Sequence, residues 1–164
     1  MIRRREGAAE IPRKDDTMAA TRTAQVAWEG DLLSGNGTIT SVGSAAFGPL
    51  PVTWAARTEA SGGKTSPEEL LAAAHASCFA MAFSADLARA GTPPTSLAVS
   101  ASVTFDKLDD GWRVTTSALT VRGRVPGATD ESFTKAAEAA KVGCPISKAL
   151  IGNVELTVAA SLES

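Results

Sequence analysis

The sequence predicts an α+β fold, with antiparallel sheets around a long buried central helix in the order β-β-β-α-β-β-α-α-β. Three observations carry this. Residues 66–90 open with a helix-start signal and are apolar nearly all round. Val99-Ser100-Ala101-Ser102-Val103-Thr104-Phe105 alternates strictly, and Asp110-Gly111 follows it as a hairpin turn pair. Strands arrive in runs between the helices, which suits antiparallel pairing.

The elements follow in chain order. Residues 1–21 are charged, polar and aperiodic, and read as a disordered N-terminal extension with Met18 as a candidate start. Residues 22–164 read as one domain. Gln25-Val26-Ala27-Trp28-Glu29 is a strand, Gly35-Asn36-Gly37 a turn, and Thr38-Ile39-Thr40-Ser41-Val42 a second strand. Residues 52–58, with Trp54 and Arg57, form a third extended piece, and Ser61-Gly62-Gly63-Lys64 a loop.

Ser66-Pro67-Glu68-Glu69 then supplies an N-cap serine, a first-position proline and a glutamate at N3, a capping box. This helix runs to about Ala90, where Gly91 and Pro93 stop it. Leu70, Leu71, Ala74, Cys78, Phe79, Met81 and Phe83 leave it no polar face, so it should be buried. The return strand covers 112–124, and a second helix covers 130–142 and ends at Gly143. Pro145 opens a short third helix with Cys144 at its N-cap, and 153–160 is the last strand.

Bulk properties exclude several functions. The 164 residues suffice for a proper core, and 44% hydrophobic with 21% charged is ordinary for a globular chain. A net charge of −2 argues against electrostatic binding of nucleic acid. No uninterrupted apolar run reaches the ~18 residues of a membrane span. Met1-Ile2-Arg3-Arg4-Arg5 has no apolar region behind it, so no secretory signal is read there. The expectation is a cytoplasmic protein with no nucleic-acid or membrane partner. Two cysteines and one histidine without CxxC spacing make a poor metal set, and no phosphate-binding glycine motif is present, so no cofactor is expected.

Chemistry therefore concentrates on thiols. Cys78 lies in Ala74-His75-Ala76-Ser77-Cys78-Phe79-Ala80-Met81, and Cys144 at the break Gly143-Cys144-Pro145-Ile146-Ser147. In a reducing compartment a lone pair is more often catalytic, redox-sensing or inert than a permanent disulfide. His75 reads first as a buried, hydrogen-bonded histidine, with a proton-handling role left open by its position three residues before Cys78. Trp28, Trp54 and Trp112 read as core or interface packing.

The run from Ser66 to Met81 and the segment from Gly143 to Ser147 resemble the two signature regions of the OsmC/Ohr family of thiol peroxidases. Trp28-Glu29-Gly30-Asp31, Gly91-Thr92-Pro93-Pro94-Thr95-Ser96, Asp106-Lys107-Leu108-Asp109 and Val125-Pro126-Gly127 resemble its OsmC branch. The resemblance implies an intertwined homodimer that reduces organic hydroperoxides, and hydrogen peroxide as a further substrate, at the expense of a dithiol. It implies Cys78 as the peroxidatic thiol and Cys144 as the resolving thiol, joined as a disulfide during turnover. It also implies that Arg57 and Glu68 complete the site.

The residues themselves test these roles. Cys78 is about three turns into its helix, beyond useful help from the helix dipole, so its thiolate needs a cation such as Arg57, oriented by Glu68. Glu68 and Cys78 are ten residues apart, or roughly 15 Å along a straight helix. Either the helix breaks between them or Arg57 and Glu68 serve a partner chain. Helix-start electrostatics favour Cys144 as the more acidic thiol, so without the resemblance the order of the two thiols stays open. Phe79, Met81 and Phe83 around Cys78 suit a lipid-like or aryl peroxide. The alternative is a redox sensor or small-molecule-binding dimer using the same cysteines.

Overall fold

The computed structural model describes residues 19–163. The extension read over 1–21 lies, apart from its last three positions, outside the described residues. Alternating residues build a first sheet in the order β1-β2-β3, from β1 (Ala24–Glu29), β2 (Asn36–Val42) and β3 (Leu50–Val52), all antiparallel.

The expected third strand is cut short. Residues Trp54–Thr58 form a helical turn, α1, instead of continuing β3. Thr53 is the cause: its extended backbone and its Oγ1, which accepts from Ala56 N at 3.1 Å, make it an N-cap. Arg57 is therefore a helix residue, in the last turn of α1.

The central helix α2 (Pro67–Arg89) is continuous. Ser66 Oγ accepts from Glu69 N at 3.2 Å, as the capping box requires. The reciprocal arm differs from expectation, because the Glu69 carboxylate accepts from Thr65 Oγ1 at 2.9 Å. One i, i+4 stripe, His75, Phe79, Phe83 and Leu87, is buried. The rest of the expected all-round burial is absent in a single chain, and Met81 is 68% exposed. By length and composition α2 would pass for a membrane-crossing helix. Its buried stripe instead joins the core.

A long hairpin of β4 (Ser96–Leu108) and β5 (Gly111–Arg124) lies against α2. The turn consists of Asp109 and Asp110, one residue earlier than the Asp110-Gly111 pair predicts, and Gly111 takes φ +121°. Helix α3 (Asp130–Gly143) starts with a reciprocal capping box between Thr129 and Ser132. Its Phe133 ring lies so close to Gly123 of β5 that an added Cβ would stand 2.9 Å from it. Helix α4 (Pro145–Leu150) follows after Cys144 alone, and β6 (Glu155–Glu163) closes the second sheet in the order β4-β5-β6.

The antiparallel expectation fails for β6, which runs parallel to β5. The helices α3 and α4 provide the crossover that parallel strands need. Phe79, Phe83 and Leu87 of α2, Leu119 and Val121 of β5, and Phe133, Ala137 and Ala140 of α3 form one core. Cys144 belongs to it.

Candidate active site

Cys78 faces the start of α4 from the middle of α2, and Cys144 sits on the link between α3 and α4. Both are free thiols, near enough for each to shift the other's titration. Cys78 is partly exposed and Cys144 is 0% exposed. Burial pushes the Cys78 thiol up, the neighbouring Cys144 adds to this, and the Ile146 N–H only partly opposes it. Burial also pushes Cys144 up, but the polar groups of Ser147, Cys78 and Ile146 around it outweigh burial and hold Cys144 below the ordinary thiol value. The expected acidity order, with Cys144 the stronger acid, holds in the single chain.

His75 and its two partners lie beneath this pair. Its Nδ1 is 2.7 Å from Ser117 Oγ on β5, and its Nε2 is 2.9 Å from Ser147 Oγ on α4. All three residues are fully buried. Burial alone moves His75 down, so the ring is neutral at pH 7. The buried, hydrogen-bonded histidine expected from sequence is what the fold contains.

Arg57 and Glu68 form a second cluster. Arg57 Nε stands 2.9 and 3.1 Å from the two carboxylate oxygens, and Nη2 is 2.7 Å from Oε1. Glu68 is buried at the first turn of α2, which satisfies a first-turn acid and a charge partner together. The guanidinium carbon lies 3.9 Å from the Phe105 ring centre, and Phe105 stacks on Trp112 at 5.0 Å. Trp54 meets Trp112 edge-on at 5.5 Å. A cleft of about 190 Å³ opens beside Arg57, lined also by Trp28, Leu32, Val52 and Trp54.

The fold thus brings Cys78 to Cys144 and Arg57 to Glu68, but it keeps the two pairs apart. Between Glu68 and Cys78, α2 is unbroken, so they stand roughly 15 Å apart along its axis. The expected apolar peroxide surroundings of Cys78 are revised in part. Phe79 and Phe83 are 0% exposed and point into the core, so neither lines an open cleft. Met81 is exposed and lines an open cavity of about 570 Å³ with Ala80 and Leu97, and a separate apolar cleft lies at Arg57. Sequence reasoning missed Ser147, Ser117 and Phe105. Ser147 had a signal, since it lies three residues after Cys144 at a helix start. Ser117 had none, lying 42 residues from His75 in sequence.

The family described as OsmC-like protein matches residues 60–159. The chain is 40% identical over 139 residues to Peroxiredoxin OsmC of Escherichia coli strain K12, covering 85% of this chain and 96% of that protein. The same identity and coverage hold for Peroxiredoxin OsmC of Shigella flexneri. In fold it resembles an organic hydroperoxide resistance protein OsmC from Legionella pneumophila, with TM-score 0.68 and 22% identity over 87% of this chain and 99% of that one. It also resembles OhrB of Bacillus subtilis, with TM-score 0.64 and 23% identity over 85% and 98% of the two chains.

Proposed function

The chain belongs to the OsmC-like protein family, and from that premise we propose a thiol-dependent peroxidase that reduces organic hydroperoxides through Cys78 and Cys144. Its 40% identical relatives are peroxiredoxins by name, and this chain is a peroxidase of that type. The observation that carries the two-cysteine cycle is the pairing of a partly exposed with a fully buried thiol, near enough for each to shift the other's titration.

Accessibility ranks the two thiols against acidity. A peroxide must touch the sulfur it oxidises, and in the single chain only Cys78 is open to solvent. The Cys78 thiolate attacks one peroxide oxygen, the O–O bond breaks, and the alcohol leaves after taking a proton. Cys78 is then a sulfenic acid. Cys144 attacks its sulfur, the S–O bond breaks, and the hydroxide leaves as water. An external dithiol reduces the resulting disulfide by exchange. The aromatic and aliphatic lining of the cleft beside Arg57 supports a peroxide with an apolar tail. Cytoplasmic placement belongs to the same reading, because the cycle needs a supply of dithiol.

Activation of Cys78 comes from a second copy of the chain. Every residue of β1 is exposed, including Val26 and Trp28. A mostly apolar cavity of about 630 Å³ separates this sheet from Leu70, Ala73 and Ala74 of α2. Filling it from a partner would cover the open face of α2 and bring the Arg57–Glu68 pair to the partner's Cys78. Steady-state consumption of cumene hydroperoxide and hydrogen peroxide, with dihydrolipoamide or dithiothreitol as reductant, tests the function. Repeated turnover with preference for cumene hydroperoxide is expected. A single stoichiometric oxidation without cycling would make the protein a redox sensor.

A further inference from the structure

Phe105 is a large aromatic side chain that lies outside the core around α2. It does not line the cleft beside Arg57 either, which Trp28, Leu32, Val52, Trp54 and Pro67 enclose. Its ring is engaged by three neighbours. The Arg57 guanidinium carbon stands 3.9 Å from its centre, Trp112 stacks on it at 5.0 Å and 17°, and Trp54 meets it edge-on at 6.2 Å.

The course of the chain brings these groups together. After the turn at Gly91, β4 runs back along α2, and its half-buried residues Leu97, Val99, Ala101, Val103 and Phe105 alternate with exposed ones. From Ser96 to Phe105 is roughly 30 Å of strand, and from Arg89 back to Glu68 is roughly 30 Å of helix. Phe105 is thus the inward residue that comes level with the first turn of α2, where Glu68 holds Arg57. Trp112 reaches the same place from β5, two positions from Val114, the residue opposite Phe105.

Arg57 stands on weak support without this ring. Helix α1 is five residues long, and Gly62 and Gly63 follow soon after it, both at positive φ. A helix that short is marginal on its own. Glu68 holds one edge of the guanidinium, through Nε and Nη2, and leaves its faces to water or to a neighbour. Trp54 and Arg57 are three residues apart on α1, so both reach the side that meets Phe105. The electron-rich face of Phe105 attracts the guanidinium, and the edge contact with Trp54 secures the helix that carries it.

We propose that Phe105 is a positioning residue for Arg57: braced by Trp112 and Trp54, its ring fixes the guanidinium plane, so that the open Nη1 edge is presented in one direction to the thiolate it stabilises. This rests on the reading of Arg57 as the group that activates Cys78 of a partner chain. Neighbouring charges do not supply the same hold. Asp106 alternates away from Phe105 on β4 and accepts from the Lys107 N–H at 2.8 Å, and Arg113 of β5 is paired with Asp110. Glu68 is the carboxylate that Arg57 meets among the described residues.

Fluorination separates the charge of the ring from its shape. Pentafluorophenylalanine placed at position 105 alone keeps the outline and the stack on Trp112 but reverses the electrostatics of the ring face. Phe105→Leu removes the face, and Phe105→Tyr retains it. Three readouts apply: thiolate absorbance of Cys78 against pH in a Cys144→Ser background, the pH profile of kcat/KM with cumene hydroperoxide, and KM itself. The pentafluoro ring and Phe105→Leu should each move the Cys78 titration to higher pH and slow the reaction at pH 7 about fivefold, with the rate recovered at higher pH. Phe105→Tyr should stay within about twofold of the parent protein. In an Arg57→Ala background, Phe105→Leu should cause no further shift.

A raised KM with an unmoved titration would make Phe105 a peroxide contact and overturn the proposal. So would a pentafluoro protein that matches the parent, or additive shifts from Phe105→Leu and Arg57→Ala. If Phe105→Leu does not fold, the pentafluoro protein decides alone. If Arg57 does not activate Cys78 at all, the outcome differs: Arg57→Ala itself then leaves the Cys78 titration unmoved, and the proposal falls with it.

Discussion

Glu68 and Cys78 lie ten residues apart on one unbroken helix, so the Arg57–Glu68 pair stands roughly 15 Å along the axis from the thiol of its own chain. Arg57 spends Nε and Nη2 on Glu68 and keeps Nη1 free of partners among the described residues. The open Nη1 edge of the guanidinium can still donate to an anion, and Cys78 of the same chain lies too far along α2 to take it.

This separation predicts complementation between chains. Cys78→Ser and Arg57→Ala should each be nearly inactive as pure proteins. Mixed by unfolding and refolding together, they should recover about a quarter of parent activity, because half the dimers are mixed and each carries one complete site. A mixture as inactive as its components would place Arg57 and Cys78 in the same chain or remove Arg57 from the site. Light scattering should report a dimer at micromolar concentration.

The cysteine roles predict different products. Cys78→Ser should abolish peroxide consumption. Cys144→Ser should leave a sulfenic acid on Cys78 that dimedone traps and mass spectrometry locates. An adduct on Cys144 in the Cys78→Ser protein, with activity retained, would reverse the assignment.

Arg57→Ala should slow the reaction at pH 7 by about tenfold or more, since each unit of lost thiolate stabilisation is about 1.4 kcal/mol. Burial already pushes Cys78 above the ordinary thiol value, so the rate should recover as pH rises and the thiolate forms unaided. Arg57→Lys should rescue only in part, because a point charge lacks the planar fork that Glu68 holds. Identical pH–rate profiles for the parent and Arg57→Ala would exclude Arg57 as the activating cation.

His75 predicts a loss of stability in acid. Its folded value lies below the unfolded value of about 6.5, so between the two the unfolded chain binds more protons. The stability from keeping His75 neutral is complete above about 6.5 and declines as pH falls toward the folded value. Tm should therefore drop more steeply between pH 7 and 5 in the parent than in His75→Gln. Parallel slopes would assign the acid sensitivity to other groups.

The sequence by itself determined the elements whose signals are local. Ser66, Pro67 and Gly91 bounded the central helix, alternation marked β4, and Thr38 to Val42 gave most of β2. The two cysteine motifs, matched as pieces of text, were enough for the family. Tertiary structure decided the rest, for reasons of distance and cover. The Thr53 cap turned residues after β3 into a helix, a choice of one hydrogen bond against strand propensity. The parallel course of β6 depends on where α3 and α4 return the chain. The stripe of α2 that is buried depends on which side meets β4 and α3, and an all-round apolar composition carries no such information. The line from Ser117 through His75 to Ser147 joins β5, α2 and α4. Hydrogen bonds form between neighbours in space, and residues 42 and 72 apart in sequence become neighbours only when the sheet and helices have packed.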